Sequence, residues 1–234
     1  MKKANDSTHK YARYYLEKLP ISNRDKGEVR KILDKIKGSI FIQIKSIDFE
    51  MVRKKYPSLL THIIEVVVVS ILIGIKLGFK EDRLYDLAVG AIVHDTGKLY
   101  IPKEILNKPA KLTEEEFKIM QTHSKVGYEA VVEDHIISNG IEDIILQHHE
   151  KIDGTGYPNG LQNGEISKLA RIVSIADVFS ALTSRRIYRE AWGIEKAITY
   201  MYHNTGNHFD KEIMKELDMQ FFDSQGNLKE MHEV

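Results

Sequence analysis

Apolar residues recur at helical spacing along most of the chain from position 57 onward, with polar residues between them. This periodicity predicts a succession of helices, because side chains three and four positions apart share one face of a helix. No stretch alternates convincingly with the period of a strand. The predicted helices span residues 59–77, 82–95, 113–123, 126–134, 141–149, 166–186, 194–202 and 211–217. The fold class is therefore predicted to be all-α, with a small turn or hairpin around residues 159–164.

The first 50 residues are charged and helical in pattern, and they predict a short N-terminal helical extension. Breaks are expected at Leu19-Pro20 and near Gly38, because proline and glycine are poor residues for a helix interior. The main domain is expected to cover residues 51–220. Residues 221–234 are expected to form a frayed C-terminal tail.

The most apolar run covers residues 63–75 and contains one charged residue, Glu65. This run of 13 residues is shorter than the ~20 that a transmembrane helix needs, which favours a buried core segment. Its β-branched residues would also suit a strand, but its continuation to Leu77 and the helix-ending residue Gly78 favours a helix. The N-terminus lacks the apolar segment of a secretory signal. We therefore expect a cytoplasmic protein without membrane insertion.

Charge and composition narrow the class of ligand. Lys+Arg 34 balances Asp+Glu 34, so the chain lacks the large positive field of a protein that grips long nucleic acids. Cysteine is absent, which excludes disulfides and thiolate metal sites. Any metal must therefore be held by imidazole and carboxylate groups.

Several histidines and two aspartates fall in mostly apolar helical segments. Each one alone is most simply a hydrogen-bonded structural residue or a helix cap. Together they require compensation, since desolvating unpaired carboxylates and adjacent imidazoles is costly. A shared metal centre would supply that compensation for the whole group, which consists of His62, His94, Asp95, His123, His148, His149 and Asp177.

This donor set suits first-row transition metals rather than Mg²⁺ or Ca²⁺ alone. Seven donors exceed what one ion with open positions can use, so two ions with Asp95 bridging are predicted. Two such ions clamp a phosphoryl group and lower the pKa of a bound water. Lys98, one helical turn after His94, is placed to stabilise phosphate charge.

The same residues resemble a known family. His94-Asp95 is the signature of HD-domain metal phosphohydrolases. The stretches HDTGKLYIPKEILNKPAKLTEEEF, HHEKIDGTGYPNGL and ARIVSIADVFSALTSRRIYR, in this order, resemble the HD-GYP subfamily over about residues 58–210. The resemblance implies an HD-domain helical bundle and a phosphodiesterase that hydrolyses cyclic di-GMP to pGpG, GMP or both. It also implies two divalent ions, with Fe or Mn expected first and Zn, Co or Ni as alternatives.

The resemblance also assigns roles to individual positions. Asp95 and Lys98 are the implied catalytic residues, and Lys98, Tyr157, Arg186 and Arg189 are the implied substrate contacts. The metal positions it implies are His62, His94, Asp95, His123, His148, His149 and Asp177. Three positions depart from the pattern. Ser58 stands where some members carry a glutamate for a third metal and has the character of a helix N-cap, and Ser180 and Ile187 stand where Asp and Pro are frequent.

Alternative functions remain open on sequence grounds. The same chemistry on 3′,3′-cyclic GMP-AMP differs only in a few contacts to the bases. A catalytically weak module that senses a nucleotide is a second alternative, which Ser180 keeps open. A phosphohydrolase of the broader HD class is a third, and the Gly156-Tyr157-Pro158 loop argues against it. The partners expected besides the cyclic dinucleotide are a second copy of the chain or a signalling protein.

Overall fold

The computed structural model describes residues 2–43, 47–134, 137–184, 190–223, 226, 228 and 229. Across these residues the chain forms α-helices and two short 3-10 helices, and it forms no strand. The predicted all-α class is confirmed. The helices are α1 (Lys2–Lys18), α2 (Asn23–Gln43), α3 (Phe49–Lys55), α4 (Pro57–Lys76), α5 (Glu81–Val93), α6 (Lys103–Leu106), α7 (Glu114–Gln121), α8 (His123–Val131), α9 (Asn139–Gln147), α10 (Lys168–Thr183), α11 (Ile194–Tyr202) and α12 (Lys211–Phe221), with 3-10 helices at Thr96–Tyr100 and Asn163–Glu165.

Helix α4 runs through the middle of the bundle and packs against α1, α5 and α10. Residues Ile63 to Gly74 are all buried, which accounts for the near-continuous apolar run. By length and composition α4 could cross a membrane, but 72% of its apolar window is buried inside the protein. Burial of each large aliphatic side chain contributes roughly 1.5–3 kcal/mol, so α4 is the central core helix. The predicted choice of helix over strand is confirmed.

The two N-terminal helices pack directly on this core. Leu16 of α1 and Val29 of α2 are fully buried in the same apolar cluster as the residues of α4. Lys76 at the end of α4 pairs with Asp25 of α2 at 2.7 Å. The predicted break at Pro20 is confirmed, because α1 ends at Lys18 and α2 begins at Asn23.

Some predicted element boundaries were wrong. Helix α2 continues through Gly38, since the cost of one glycine, about 1 kcal/mol, does not outweigh the docking of the residues before it. Ser58 is not a helix N-cap. Tyr56 holds that position, because Pro57 occupies the first helical turn, where its missing N–H costs nothing.

The region expected to hold a turn or hairpin contains a single antiparallel bridge, Asp153 to Gln162, followed by the second 3-10 helix. Of the predicted C-terminal tail, residues 224, 225, 227 and 230–234 lie outside the described residues. The capping box predicted at the start of α7 is present: Thr113 accepts from the Glu116 N–H at 3.2 Å, and Glu116 accepts from the Thr113 N–H at 2.8 Å.

Candidate metal centre

The seven side chains predicted as metal ligands converge in one buried cluster. Five lie at the ends of helices or in the turns after them, and His62 and Asp177 lie inside α4 and α10. Their donor atoms form two groups, each with all atoms within 4.8 Å of one another. The first group is Asp95, His123, His148 and His149, and the second is His62, His94 and Asp177.

A close backbone contact brings the His94-Asp95 turn against α8. A Cβ atom at Gly97 would lie 1.9 Å from the carbonyl oxygen of His123 and 2.7 Å from the nitrogen of Gly127. Only glycine fits at such a distance. Gly97 therefore allows Asp95 and His123, which come from different elements, to reach the same centre.

The backbone fixes the tautomer of three of the five histidines. The Nδ1 atom of His94 lies 2.8 Å from the carbonyl oxygen of Ala91, and that of His123 lies 2.7 Å from the carbonyl oxygen of Met120. His148 Nδ1 lies 3.0 Å from the carbonyl oxygen of Ile145. Since a carbonyl only accepts, Nδ1 carries the proton in each neutral ring. Each Nε2 lone pair is left free to face the centre.

The donor atoms at the centre fit a cation. His123 Nε2 and His148 Nε2 lie 3.3 Å apart, and neither neutral ring has a proton there to give the other. His62 Nε2, His94 Nε2 and Asp95 Oδ1 are buried and lack a hydrogen-bond partner in the described part of the chain. Two ligand atoms that bind one ion at ~2.0–2.2 Å, at right angles to each other, lie roughly 3 Å apart. The cluster and its chemistry therefore indicate a divalent metal site.

Asp95 lies between the two groups and is fully buried. Its Oδ1 faces His123 Nε2 at 3.5 Å and His148 Nε2 at 3.8 Å. Its Oδ2 faces His94 Nε2 at 3.4 Å and His62 Nε2 at 3.8 Å. One carboxylate thus presents one oxygen to each group of donors, as a bridging ligand would.

The protonation states favour metal binding. Burial lowers the pKa of His123 to about 4 and that of His149 to about 3, and burial with neighbouring imidazoles also lowers the pKa of His148. Burial alone would raise the pKa of Asp95, but Lys98 and the adjacent imidazoles outweigh it and hold this pKa well below its usual value. At neutral pH the centre therefore offers lone pairs and ionised carboxylates.

Neighbouring groups also shift the pKa values of Asp177 and His94. Burial opposes ionisation of Asp177, but His62 and then His149 hold its pKa well below the usual value. For His94, burial acts to lower the pKa and the neighbouring Asp95 more than offsets it, so the pKa is raised. Lys98 lies on the first 3-10 helix, and its Nζ donates to Asp95 Oδ2 at 2.5 Å. The predicted catalytic pair is therefore in direct contact.

The loop after the histidine pair is held against the centre by its own backbone. His148 and His149 follow the end of α9. The predicted placement of both residues inside this helix is wrong. A Cβ at Gly156 would lie 2.4 Å from Glu150 Cα, so the loop returns over this turn at a distance that requires glycine. Buried Glu150 accepts from the N–H groups of Asn159 and Leu161 at 2.7 and 3.0 Å.

The loop places Tyr157 beside the donor cluster. Its ring centroid lies 4.7 Å from that of His149, and the exposed ring of Phe117 meets it edge-on at 6.0 Å. Burial, followed by the charges of Asp177 and Asp95, raises the pKa of Tyr157, so its hydroxyl stays protonated. Arg186, Arg189 and Ile187 lie outside the described residues.

Sequence reasoning missed two buried carboxylates near the site. Glu150 anchors the loop, and Glu65 of α4 contacts Ser180 of α10. The only signal for Glu65 was a single charge inside an apolar run. The signal for Glu150 was its place directly after the histidine pair, before a loop with many N–H groups to satisfy.

Comparison with known proteins identifies the family. Residues 50–213 match the HD domain. The chain belongs to the HD domain family. Curated relatives that are 33% and 42% identical also bear out the HD-GYP assignment within that family.

Two curated relatives are phosphodiesterases. The cyclic di-GMP phosphodiesterase response regulator RpfG of Xanthomonas campestris is 42% identical over 62% of this chain and 39% of its own length. The 3′3′-cGAMP-specific phosphodiesterase 3 of Vibrio cholerae is 37% identical over 72% of this chain and 36% of its own length. This HD domain chain therefore spans less than half the length of these relatives.

A solved HDG"Y"P protein from Bdellovibrio bacteriovorus has the same fold. It superposes with a TM-score of 0.60 at 22% identity, over 92% of this chain and 69% of its own. At that identity the similarity supports the HD bundle and nothing about its ligands.

Proposed function

We propose that this HD-GYP chain is a metal-dependent phosphodiesterase that hydrolyses cyclic di-GMP to pGpG, GMP or both. The observation that carries the proposal is the buried cluster of five imidazoles and two carboxylates, in two groups with Asp95 facing both. Such a centre is suited to phosphoryl-transfer chemistry, of which phosphodiester hydrolysis is one case. The substrate class is taken from the relatives and from the loop that carries Tyr157.

The proposed centre holds two divalent ions. His123, His148 and His149 would hold one, His62, His94 and Asp177 would hold the other, and Asp95 would bridge them. Iron or manganese is proposed first, with zinc, cobalt or nickel as alternatives, because imidazole and carboxylate donors do not separate these ions sharply. When bound, the ions supply a nucleophile at neutral pH and stabilise charge on the phosphoryl oxygens.

The residues of the chain would then bind and orient the substrate. Lys98, whose side chain is 19% exposed, places its ammonium group beside Asp95, where a phosphate oxygen would accept from it. Tyr157 would close one side of the site as a substrate contact. Arg186 and Arg189 are proposed to contact the dinucleotide.

A second substrate is favoured by a specific relative. The Vibrio cholerae protein named for 3′3′-cGAMP is 37% identical over 72% of this chain, a similarity comparable to that of the cyclic di-GMP phosphodiesterase RpfG. Cyclic di-GMP and 3′,3′-cyclic GMP-AMP differ in one base, so the centre would treat their phosphates alike. Discrimination would come from contacts to the bases.

The central experiment is a turnover assay on anaerobically purified protein with cyclic di-GMP, 3′,3′-cyclic GMP-AMP and linear pGpG in parallel. We expect turnover of cyclic di-GMP that a chelator abolishes and that Mn²⁺ or Fe²⁺ restores. Preferential turnover of the mixed dinucleotide would assign the alternative substrate. Tight dinucleotide binding without turnover in the metal-loaded protein would instead make it a nucleotide sensor and refute the proposed activity.

The domain bounds, the cellular location and the protein partners are proposed as well. We place the catalytic domain at residues 51–220, the helical extension at 1–50 and the tail at 221–234, in a cytoplasmic protein. A second copy of the chain or a signalling protein is the proposed partner. Size-exclusion chromatography with light scattering would test the first of these partners.

A further inference from the structure

Glu65 of α4 is a buried carboxylate whose partners are hydroxyl groups. Its Oε1 accepts from the hydroxyl of Tyr11 on α1 at 3.1 Å. Its Oε2 accepts from Ser180 Oγ on α10 at 2.7 Å, and also from Ser184 Oγ. Only 4% of the residue is exposed. Retaining a carboxylate at this depth opposes folding unless its oxygens are satisfied, so three converging donors mark it as an organised feature.

Ser180 links this carboxylate to His62. The Oγ atom of Ser180 lies 2.9 Å from His62 Nδ1. A hydroxyl has one proton, and Ser180 donates it in the hydrogen bond to Glu65, because a carboxylate only accepts hydrogen bonds. Ser180 can therefore only accept from His62, which places the ring proton on Nδ1.

The consequence falls on the opposite nitrogen of the ring. His62 Nε2 is left with a lone pair that faces Asp177 Oδ1 at 3.0 Å and Asp95 Oδ2 at 3.8 Å. This is the tautomer that a metal ligand needs. Without Glu65, the hydroxyl of Ser180 could instead donate to Nδ1. That hydrogen bond would stabilise the other tautomer, in which Nε2 carries the proton.

We propose that Glu65 is a positioning residue for the metal centre. Through Ser180 it fixes the tautomer and orientation of His62. Tyr11 donates to Glu65 from α1, so the packing of α1 contributes to this support. The inference rests on the proposed role of His62 as a metal ligand. It adds three residues that lie outside that ligand set. One of them, Tyr11, also precedes residues 50–213, the span matched by the HD domain.

The neighbouring histidines show why His62 needs such support. His94, His123 and His148 direct Nδ1 to backbone carbonyls three or four residues earlier. His62 directs Nδ1 to a side chain 118 positions away. Its tautomer therefore depends on the packing of α1, α4 and α10 rather than on its own turn of helix.

Tyr11 is suited to remain a donor in this network. Burial, and next the charge of Glu65, raises the pKa of its phenol. The hydroxyl therefore stays protonated over the working pH range. Displacing α1 would leave Glu65 Oε1 without this donor.

Metal affinity of the full chain tests the proposal. Ser180→Ala removes the acceptor for His62, and Glu65→Met removes the carboxylate while keeping an unbranched side chain of similar length. We expect each to weaken Mn²⁺ binding about 10–100-fold by titration calorimetry. The double variant should be no weaker than Ser180→Ala, because Glu65 acts through Ser180. Tyr11→Phe should weaken binding less than either.

Asp25→Asn is the matched control. Asp25 is also a buried carboxylate that ties the N-terminal helices to α4, through Lys76. Its replacement should lower stability and leave the dissociation constant for Mn²⁺ unchanged. Equal loss of affinity in this control would show that loosening the extension, rather than the Glu65 contact, weakens the site, and would overturn the proposal.

The Nδ1–H proton of His62 gives a second readout. In Zn²⁺-loaded protein with ¹⁵N-labelled histidine, the His62 Nδ1–H proton should exchange slowly with water in the wild type and faster in Glu65→Met. Wild-type Mn²⁺ affinity in Ser180→Ala, or an unchanged exchange rate of the His62 Nδ1–H proton in Glu65→Met, would refute the inference. If Glu65→Met does not fold, the Mn²⁺ affinity of Ser180→Ala decides alone. A wild type that binds Mn²⁺ but hydrolyses no cyclic dinucleotide would refute the proposed function and leave this inference standing.

Discussion

His123 and His148 differ from His62 in what holds the imidazole. The first two direct Nδ1 to carbonyls three residues earlier in the chain, so the local backbone presents them to the centre. His62 depends on Ser180 and Glu65, which lie on two helices far apart in sequence. His94 is held like His123 and His148, so local backbone positions three of the imidazoles, whereas tertiary packing positions His62.

This difference shows where the centre can be adjusted. A ligand held by its own backbone changes only if the helix end is lost. A ligand held by side chains responds to the packing of α1, α4 and α10. We expect substitutions around the locally held imidazoles to act through folding, and substitutions around His62 to act on metal affinity with less loss of stability.

The largest effect is expected at Asp95, which faces imidazoles of both kinds. Asp95→Asn keeps the size of the side chain and removes the charge that faces four imidazoles and Lys98. We expect turnover of cyclic di-GMP to fall by about 10³-fold or more, since the centre would lose its bridge. Steady-state kinetics with saturating Mn²⁺ checks this, and circular dichroism controls for folding. Full turnover in a folded variant would contradict the bridging role.

The next effect concerns the locally held imidazoles. Gly97→Ala introduces a Cβ that would lie 1.9 Å from the His123 carbonyl oxygen, so α8 must move away from the His94-Asp95 turn. We expect a loss of stability of about 1–3 kcal/mol, typical of overpacking, together with weaker Mn²⁺ binding.

Gly164→Ala is the control for this substitution, because a Cβ there meets nothing within 4 Å. It should change neither stability nor affinity. Urea denaturation and titration calorimetry measure both variants. Equal behaviour of the two alanine variants would show that the Gly97 contact does not set the position of His123.

The acid response of the metal-free protein tests the buried imidazoles. Burial lowers the pKa of His123 to about 4 in the folded state, below its ordinary value of about 6.5. The unfolded chain therefore binds more protons between these values, and stability is lost as pH falls through this window. For His123 the loss of folding stability is about 2 kcal/mol between pH 7 and pH 5. The lowered pKa of His149 adds to this loss. The raised pKa of His94 opposes it.

Urea denaturation in the presence of a chelator at pH 7, 6 and 5 measures this dependence. The variant His123→Gln should show a shallower decline than the wild type. Stability that stays constant or rises toward pH 5 in the wild type would show that these imidazoles are not held neutral.

The smallest effect is expected in the loop. Glu150→Gln leaves one acceptor oxygen where the carboxylate satisfies the N–H groups of Asn159 and Leu161. One of these groups would lose its partner, at a cost of about 1–3 kcal/mol to the local conformation. We expect a several-fold higher KM with little change in metal affinity, measured by kinetics and calorimetry. Weaker metal binding with an unchanged KM would place Glu150 in the metal site rather than in the loop.

The contrast between local and tertiary support also explains what could be predicted from sequence. The succession of helices from position 57 onward follows from local patterns and is confirmed. The same holds for the central helix α4 and the Thr113 capping box. The HD-GYP assignment rested on motifs in a fixed order and is confirmed as well. The roles of the seven donor residues were inferred from residue chemistry, and they stay predictions, although the structure brings all seven together.

The remainder depends on contacts that sequence patterns do not encode. The link from Glu65 to Ser180 spans 115 positions and follows from the packing of α4 against α10. The end of α9 before His148 and the continuation of α2 through Gly38 were misjudged, because one glycine costs only about 1 kcal/mol and local patterns define helix ends only to within one or two residues.

The central claim is that buried imidazoles and carboxylates from several helices bind a pair of transition-metal ions. Elemental analysis of protein purified without oxygen or chelator, with wild type and Asp95→Asn in parallel, measures this directly. We predict close to two ions per chain in the wild type and a large loss in the variant. A folded wild type that carries no transition metal and takes none up from Mn²⁺ or Fe²⁺, or a variant that retains as much metal as the wild type, would contradict the account.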